Sequence, residues 1–372
     1  MDTRMETGQM NLLGMDRQTL KTLFAGWGYK PFHGEQVFKW IHKQGLTDFD
    51  QMTDLGKRLR AALSERAEVH WPRVVVEQTS RDGTHKWVFE LDCGNRIETV
   101  LIPDGDRTTL CVSSQAGCAL ACAFCSTARQ GFNRNLTVAE IIGQVRVAQQ
   151  WLAPRPLTNV VLMGMGEPLA NFEAVVTATA MMQDDLAYGL SKYRVTVSTA
   201  GLVPAIRRLK AVSDVSLAVS LHAPEDRLRD LLVPINRKYP IEALLAACVD
   251  FIGGDARRKV TFEYVMLDGI NDSEAQAKAL ARLLTGVPAK VNLIPFNPFP
   301  GTDFSSSPLD RIERFQALLV RAGLRTLMRR TRGGDIDAAC GQLVGRVFDR
   351  SRRHPVVPAI SAMPPEYPGR MA

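Results

Sequence analysis

No apolar run in these 372 residues approaches a membrane span, which needs about 20 predominantly apolar residues. The first eighteen residues also lack the apolar core of a secretory leader, so a cytoplasmic protein without membrane attachment is expected. Cysteine is scarce and odd in number, at seven, which argues against a structural disulfide framework. Acidic residues are outnumbered, 39 against 46 Lys and Arg, for a formal net charge of +7. That excess suits a polyanionic partner without requiring one. It is concentrated late in the chain, where Arg321 to Arg353 holds nine arginines and three aspartates. With 45% hydrophobic and 23% charged residues, the composition is that of a folded globular protein.

Apolar residues recur at helical spacing around Asp16–Phe24, Gly34–Gln44 and Leu55–Arg66, predicting three short helices. Residues 1–68 are therefore expected to form an N-terminal helical domain, with a β-rich segment over 69–107. From 108 to 350 the pattern alternates. Buried strands are predicted at Thr109–Ser113, Asn159–Met163, Tyr193–Ser198, Val215–Ser220, Lys259–Val265 and Lys290–Ile294, with a helical stretch after each. Such alternation predicts an α/β fold with a parallel sheet, here an open, partial (βα)6 barrel. Functional residues should lie beyond the C-terminal ends of its strands. Residues 351–372, rich in proline, read as a disordered tail.

Three of the cysteines, Cys118, Cys122 and Cys125, fall within eight residues in a Cys-x3-Cys-x2-Cys pattern. Three thiolates on one loop can bind three irons of a [4Fe–4S] cluster and leave the fourth open to an exogenous ligand. Structural zinc is the competing chemistry, but it calls for four protein ligands, and no second Cys pair or His pair lies nearby. After the second predicted strand come Gly164, Gly166 and Glu167, a segment whose glycines allow close backbone approach and whose carboxylate can accept from an amino group.

These features extend into a longer series. Arg96–Val100, Leu110–Cys118, the cluster loop, Cys125–Ala128, Gly131–Leu136, Met163–Pro168, Ser220–Ala223 and Gly333–Leu343 together resemble the RlmN/Cfr radical-SAM RNA adenine methyltransferases. The resemblance runs from about Asp16 to Arg350, and Cys125–Leu136 is closer to the C2-methylating branch than to the C8-methylating one.

The resemblance implies a [4Fe–4S] cluster on Cys118, Cys122 and Cys125, and S-adenosylmethionine held by Gly166, Glu167, Ser198, Ser220, Leu221, His222 and Asn297. It implies that Cys340 is methylated first, that a 5′-deoxyadenosyl radical activates that methyl group, and that the carbon radical adds to adenine C2. Glu98 then stands at the position of the proton acceptor, and Cys111 releases the product by forming a disulfide with Cys340. Taken alone, Cys111 and Cys340 would be packing residues and Glu98 a surface strand residue. Cys93 and Cys248 match no motif and read as structural. A radical enzyme acting on a glycyl protein or a small molecule would share the cluster loop but has no use for the Cys111 and Cys340 pair. Implied partners are 23S rRNA, tRNA in some members, an electron donor such as flavodoxin, and a disulfide reductant. Lys57, Arg58, Arg60 and the late arginines are candidate phosphate contacts, and the target adenine must leave its stack.

Overall fold

The computed structural model of the chain describes residues 8–255 and 257–350; the proline-rich tail over 351–372 lies outside them. A short strand, β1 (Met10–Asn11), precedes three helices, α1 (Arg17–Gly26), α2 (Phe32–His42) and α3 (Lys57–Arg66). It pairs in parallel with β2 (Ala67–Glu68). Asp16 caps α1 by accepting from the Thr19 amide at 2.7 Å. Leu20 and Phe24 of α1 are fully buried, as are Val37, Phe38 and Ile41 of α2. The helices approach closely because position 34 is glycine: a Cβ there would lie 2.7 Å from the backbone of Leu20.

The remaining chain builds one ten-stranded sheet. Its first strands, β3 (Arg73–Thr79), β4 (His85–Glu90), β5 (Arg96–Asp104) and β6 (Arg107–Cys111), are antiparallel neighbours. A small hairpin follows, of β7 (Gln115–Gly117) and β8 (Phe132–Asn135), with the four-residue helix α4 (Ser126–Arg129) between them. Then comes α5 (Val138–Leu152), started by a capping box of Thr137 and Glu140. The chain continues through β9 (Asn159–Leu162), α6 (Phe172–Gln183), β10 (Val195–Thr199), α7 (Val203–Val212) and β11 (Ser216–Ser220). It ends with α8 (Asp226–Leu232), α9 (Ile241–Ile252), β12 (Val260–Met266), α10 (Glu274–Leu283), β13 (Ala289–Pro295), α11 (Leu309–Arg321) and β14 (Arg325–Met328).

Strand β6 pairs in parallel with β9, and each later strand pairs in parallel with the next through to β14. The α/β architecture is therefore an open parallel arc of seven strands and six crossovers, extended at one edge by an antiparallel wing of β3 to β5. The seventh strand, β14, went unread in the sequence. It is four residues long and alternates exposed with buried side chains at the sheet edge, too brief for a period-2 pattern to stand out.

The N-terminal helices sit on the outer face of the arc. Arg146 of α5 donates to the Ile41 carbonyl at 2.9 Å and lies 4.7 Å from the Trp71 ring. Arg17 pairs with Asp184 and Asp185, and Lys43 donates to the Asp185 carbonyl at 2.9 Å. Among the described residues no helix is long and apolar enough to cross a membrane.

Candidate active site

The three-cysteine loop hangs between β7 and β8, beyond the C-terminal end of β6. The Cys118 amide donates to the Gly131 carbonyl at 2.7 Å, and the Ala123 amide to the Leu232 carbonyl at 3.0 Å. Phe124 meets His222 edge-on, with ring centroids 4.4 Å apart. Beneath the loop lies a separate apolar cluster that includes Leu228, Phe296, Phe299 and Phe304. Ala121 has a left-handed backbone, φ +56°. Among the described residues two other non-glycine positions share that strained region, His222 and Asp337. All three lie in segments expected to be functional, which is where backbone strain collects.

The loop suits an iron–sulfur cluster. Burial pushes the Cys118 thiol up to about 12 and raises Cys122 and Cys125 as well, so these sulfurs carry charge only beside a strong positive centre. The Thr127 and Ala128 amides already bond to the Cys125 sulfur. Among the described residues no three His, Cys, Asp or Glu side chains close on a single ion. A cluster asks for something different, one thiolate on each of three irons.

The residues expected to hold S-adenosylmethionine end neighbouring strands of the arc. Glu167 is buried, and its oxygens accept from the Leu169 amide at 3.1 Å and the Ala200 amide at 2.8 Å. Burial raises its carboxyl to about 7, against the pull of those bonds. Gly166 has φ +99°, and a Cβ there would stand 2.4 Å from Gln115. The glycines thus serve first to let this loop pack on the Ser113–Gln115 segment. Ser198 is buried on β10, and Ser220 ends β11. His222 accepts from the Val265 amide through Nδ1 at 2.9 Å, which fixes the neutral tautomer with hydrogen on Nε2. Burial lowers its pKa to about 3. Leu221 and Ser220 present their carbonyls to Arg229 at 3.1 and 2.9 Å. Asn297 donates to the Cys340 carbonyl at 3.3 Å.

That last bond ties the cofactor side of the mouth to the loop bearing Cys340. Other ties come from all around it. The Gly333 amide donates to Asp82 at 3.0 Å, the Ser126 amide to the Gly341 carbonyl at 2.9 Å, and Thr127 Oγ1 to the Leu343 carbonyl at 2.9 Å. Gln342 donates to the Pro298 carbonyl at 2.9 Å, and the Val344 amide to Glu98 Oε2 at 3.1 Å. Cys340 is an exposed residue whose backbone is held in place.

Cys111 ends β6 and faces Val100 of β5, so it shares a sheet face with Glu98, two residues along that strand. Burial pushes the Cys111 thiol up to about 12, with the nearby Cys340 sulfur adding to the rise. The surrounding protein likewise raises the Cys340 thiol by desolvating it, although part of the residue reaches solvent, while Arg329 favours its thiolate. Glu98 is buried, and burial lifts its carboxyl above the usual range.

Several polar residues of the mouth escaped the sequence reading. Arg229 is fully buried and also holds the Ala200 carbonyl at 2.7 Å, linking the ends of β10 and β11. Lys86 pairs with Glu98 across 3.4 Å, both side chains 7% exposed. The sequence carries little signal for it, since Lys86 follows His85 in a strand that also holds Glu90. Glu263 and Arg329 bear on Cys340 from β12 and from just after β14. Cys248 is buried within α9. Cys93 is exposed, with Asn95 Nδ2 at 2.9 Å and Arg134 Nε at 3.3 Å from its sulfur. On α3, Lys57 and Arg58 are exposed, whereas Arg60 donates to the Asp50 carbonyl.

Two family models match the chain: the ribosomal RNA large subunit methyltransferase N-terminal domain over residues 10–69, and the radical SAM superfamily over 112–280. A protein of Alkalilimnicola ehrlichii named dual-specificity RNA methyltransferase RlmN is 59% identical over 346 residues, 92% of this chain and 96% of its own length. A protein of the same name from Marinobacter nauticus is 57% identical, over 93% of this chain and 95% of its own. A crystal structure of a radical SAM methyltransferase from Sphaerobacter thermophilus superposes with TM-score 0.84 at 46% identity, covering 90% of this chain and 99% of that one.

Proposed function

The chain belongs to the dual-specificity RNA methyltransferase RlmN family of radical-SAM enzymes, and on that footing we propose that it methylates adenine C2 in 23S rRNA and in tRNA beside the anticodon, with Cys340 carrying the methyl group. The family's cofactors are a [4Fe–4S] cluster and S-adenosylmethionine, which when bound supply the radical that activates an otherwise inert methyl group. Cys118, Cys122 and Cys125 would hold the cluster. Gly166, Glu167, Ser198, Ser220, Leu221, His222 and Asn297 would hold S-adenosylmethionine. Glu167 retains lone pairs for an amino group beyond the two amides it accepts from, and neutral His222 offers its remaining N–H.

The other residues divide the remaining work. Cys340 accepts a methyl group on sulfur, helped by Arg329, whose charge favours its thiolate. Glu98, as a carboxylate, takes the proton from C2, and the one electron that radical addition leaves unpaired on the ring would pass to a one-electron acceptor, a role the bound cluster would supply. The Cys111 thiol then attacks the Cys340 sulfur, so that an S–S bond forms, a C–S bond breaks, and the methyl carbon keeps the bonding pair and takes a proton. An external dithiol reduces the disulfide, and a flavodoxin-like donor supplies electrons to the cluster. Exposed Lys57 and Arg58 on α3, with the arginines after β14, give phosphate contacts for an RNA whose adenine is flipped out of its stack. The unit over residues 1–68 is the RNA-binding domain of this reading, 69–107 its link, and 108–350 the catalytic barrel. An RNA substrate of this kind places the work in the cytoplasm.

The observation that carries this reading is the Cys340 loop. Its backbone is tied to the cluster loop, to Asn297 and to Glu98, and its sulfur lies near enough to Cys111 to raise that thiol. The test is nucleoside mass spectrometry of unmodified rRNA and tRNA after anaerobic incubation with reconstituted enzyme, S-adenosylmethionine and reductant. 2-Methyladenosine is expected in both RNA pools and absent with Cys340→Ala. Product from the alanine variant would sink the methyl-carrier role, and 8-methyladenosine would move the chain to the other branch.

A further inference from the structure

Glu98 has two polar partners, and only one of them lies in the Cys340 loop. The other is Lys86, in the middle of β4. Lys86 faces Val100 across β4 and β5, while Glu98 faces Val88 two pairs further along. The two side chains are therefore diagonal neighbours on the sheet face that also carries Cys111. Their charged ends are 3.4 Å apart and both side chains are 7% exposed.

A buried ammonium needs a reason. Desolvating an ion pair costs about as much as the attraction returns, so two apolar side chains here would serve stability as well. The pair's placement supplies the reason. Glu98 must enter the proton-transfer step as a carboxylate, yet burial opposes that form, and Asp337 from the Cys340 loop adds to the opposition. The groups facing Glu98 are Lys86 from β4, Cys111 from β6, and Asp337 and the Val344 amide from that loop. Lys86 is the cation among them. Arg96, two residues before Glu98 on β5, is turned to Glu90 instead, at 2.8 Å.

We propose that Lys86 is a positioning residue for the base: its ammonium keeps Glu98 ionised in a buried site and fixes one carboxylate oxygen, while the Val344 amide fixes the other. This rests on Glu98 being the proton acceptor. In the step itself the C2 proton moves to a Glu98 oxygen and the C–H pair stays on the ring.

Lys86→Met, Lys86→Gln and Lys86→Arg are compared with Glu98→Gln in the reconstituted holoenzyme. Product formation is followed in a single turnover from pH 6 to pH 9.5, and the carboxyl band of Glu98 by infrared difference titration of each protein. Without the ammonium, Glu98 holds its proton to higher pH, so activity is lost at the acid end and returns at the alkaline end. The expected result is an acid limb displaced to higher pH by about one to three units for Met and Gln, as far as an opposite charge within 4–6 Å ordinarily moves a carboxyl. Activity is expected to recover toward the alkaline end, with Arg close to wild type. The protonated carboxyl band should persist to higher pH in Met and Gln and be absent in Glu98→Gln. A uniform loss at all pH values, or an unchanged curve with an unmoved band, overturns the proposal and leaves Lys86 as packing. If Met misfolds, Gln and Arg carry the comparison. Full turnover by Glu98→Gln would overturn the base assignment itself, and the infrared band would still decide whether Lys86 holds the carboxylate.

Discussion

The barrel mouth and the N-terminal helical unit handle buried polarity in opposite ways. At the mouth, Glu98, Glu167, His222 and Asn297 are buried and hydrogen-bonded to backbone groups, and Arg229 links the carbonyls at two strand ends. Under the helices, His42 is 6% exposed, packs on Phe38 at 4.6 Å, and has no hydrogen bond on either ring nitrogen. Burial depresses both histidines to about 3. The same shift thus marks a group locked into one tautomer in one region and a packing residue in the other. A displaced pKa becomes functional evidence only when the ring's hydrogen bonds and neighbours say what it is held for.

Substitutions in the two regions should separate chemistry from stability. The largest effect belongs to Cys340→Ala, with 2-methyladenosine falling at least about 10³-fold by mass spectrometry, as for removal of a covalent catalyst. Thermal unfolding should stay near wild type, because the loop is held by its backbone and not by the thiol. Next comes Glu98→Gln, expected to slow single-turnover product formation by about 10²–10⁴-fold, the usual contribution of a positioned base. A parent-like rate would break the contrast by making Glu98 another buried packing group.

The helical unit should show the reverse. Gly34→Val places carbon about 2.7 Å from the Leu20 backbone and should cost about 1–3 kcal/mol in urea unfolding, with the turnover of folded molecules little changed. The smallest effect is pH-dependent. His42 binds a proton in the unfolded chain below about 6.5 and in the folded chain only near 3, so its contribution is complete above 6.5 and lost as pH falls. Wild type should therefore lose about 2 kcal/mol more than His42→Phe between pH 7.5 and pH 5. Parallel losses in urea titrations at those two pH values would show that His42 is not buried neutral.

Much of the candidate site was legible because its chemistry is written locally. Cys118, Cys122 and Cys125 sit on one loop, and Met163–Pro168 and Ser220–Ala223 directly follow strands whose apolar runs announce them. Lys86 was not legible, since its meaning depends on a diagonal across two strands. Arg229 was hidden in the same way: an arginine on a short helix reads as a surface charge until the strand ends it holds are in place. Gly166 was read as letting the backbone approach a ligand closely, but the atoms that crowd it belong to Gln115, 51 residues earlier.

By itself the sequence determined the alternating strands and helices, the cluster loop and the family, because periodicity and short-range spacing survive in one dimension. Tertiary structure alone decided that β14 completes the arc, that an antiparallel wing brings Lys86 and Glu98 to the face bearing Cys111, and that the Cys340 loop is held by partners as distant as Asp82 and Thr127. Those are facts of register and of contacts between residues far apart in the chain. A one-residue slip of β4 would turn Lys86 to the opposite face with no change in the sequence.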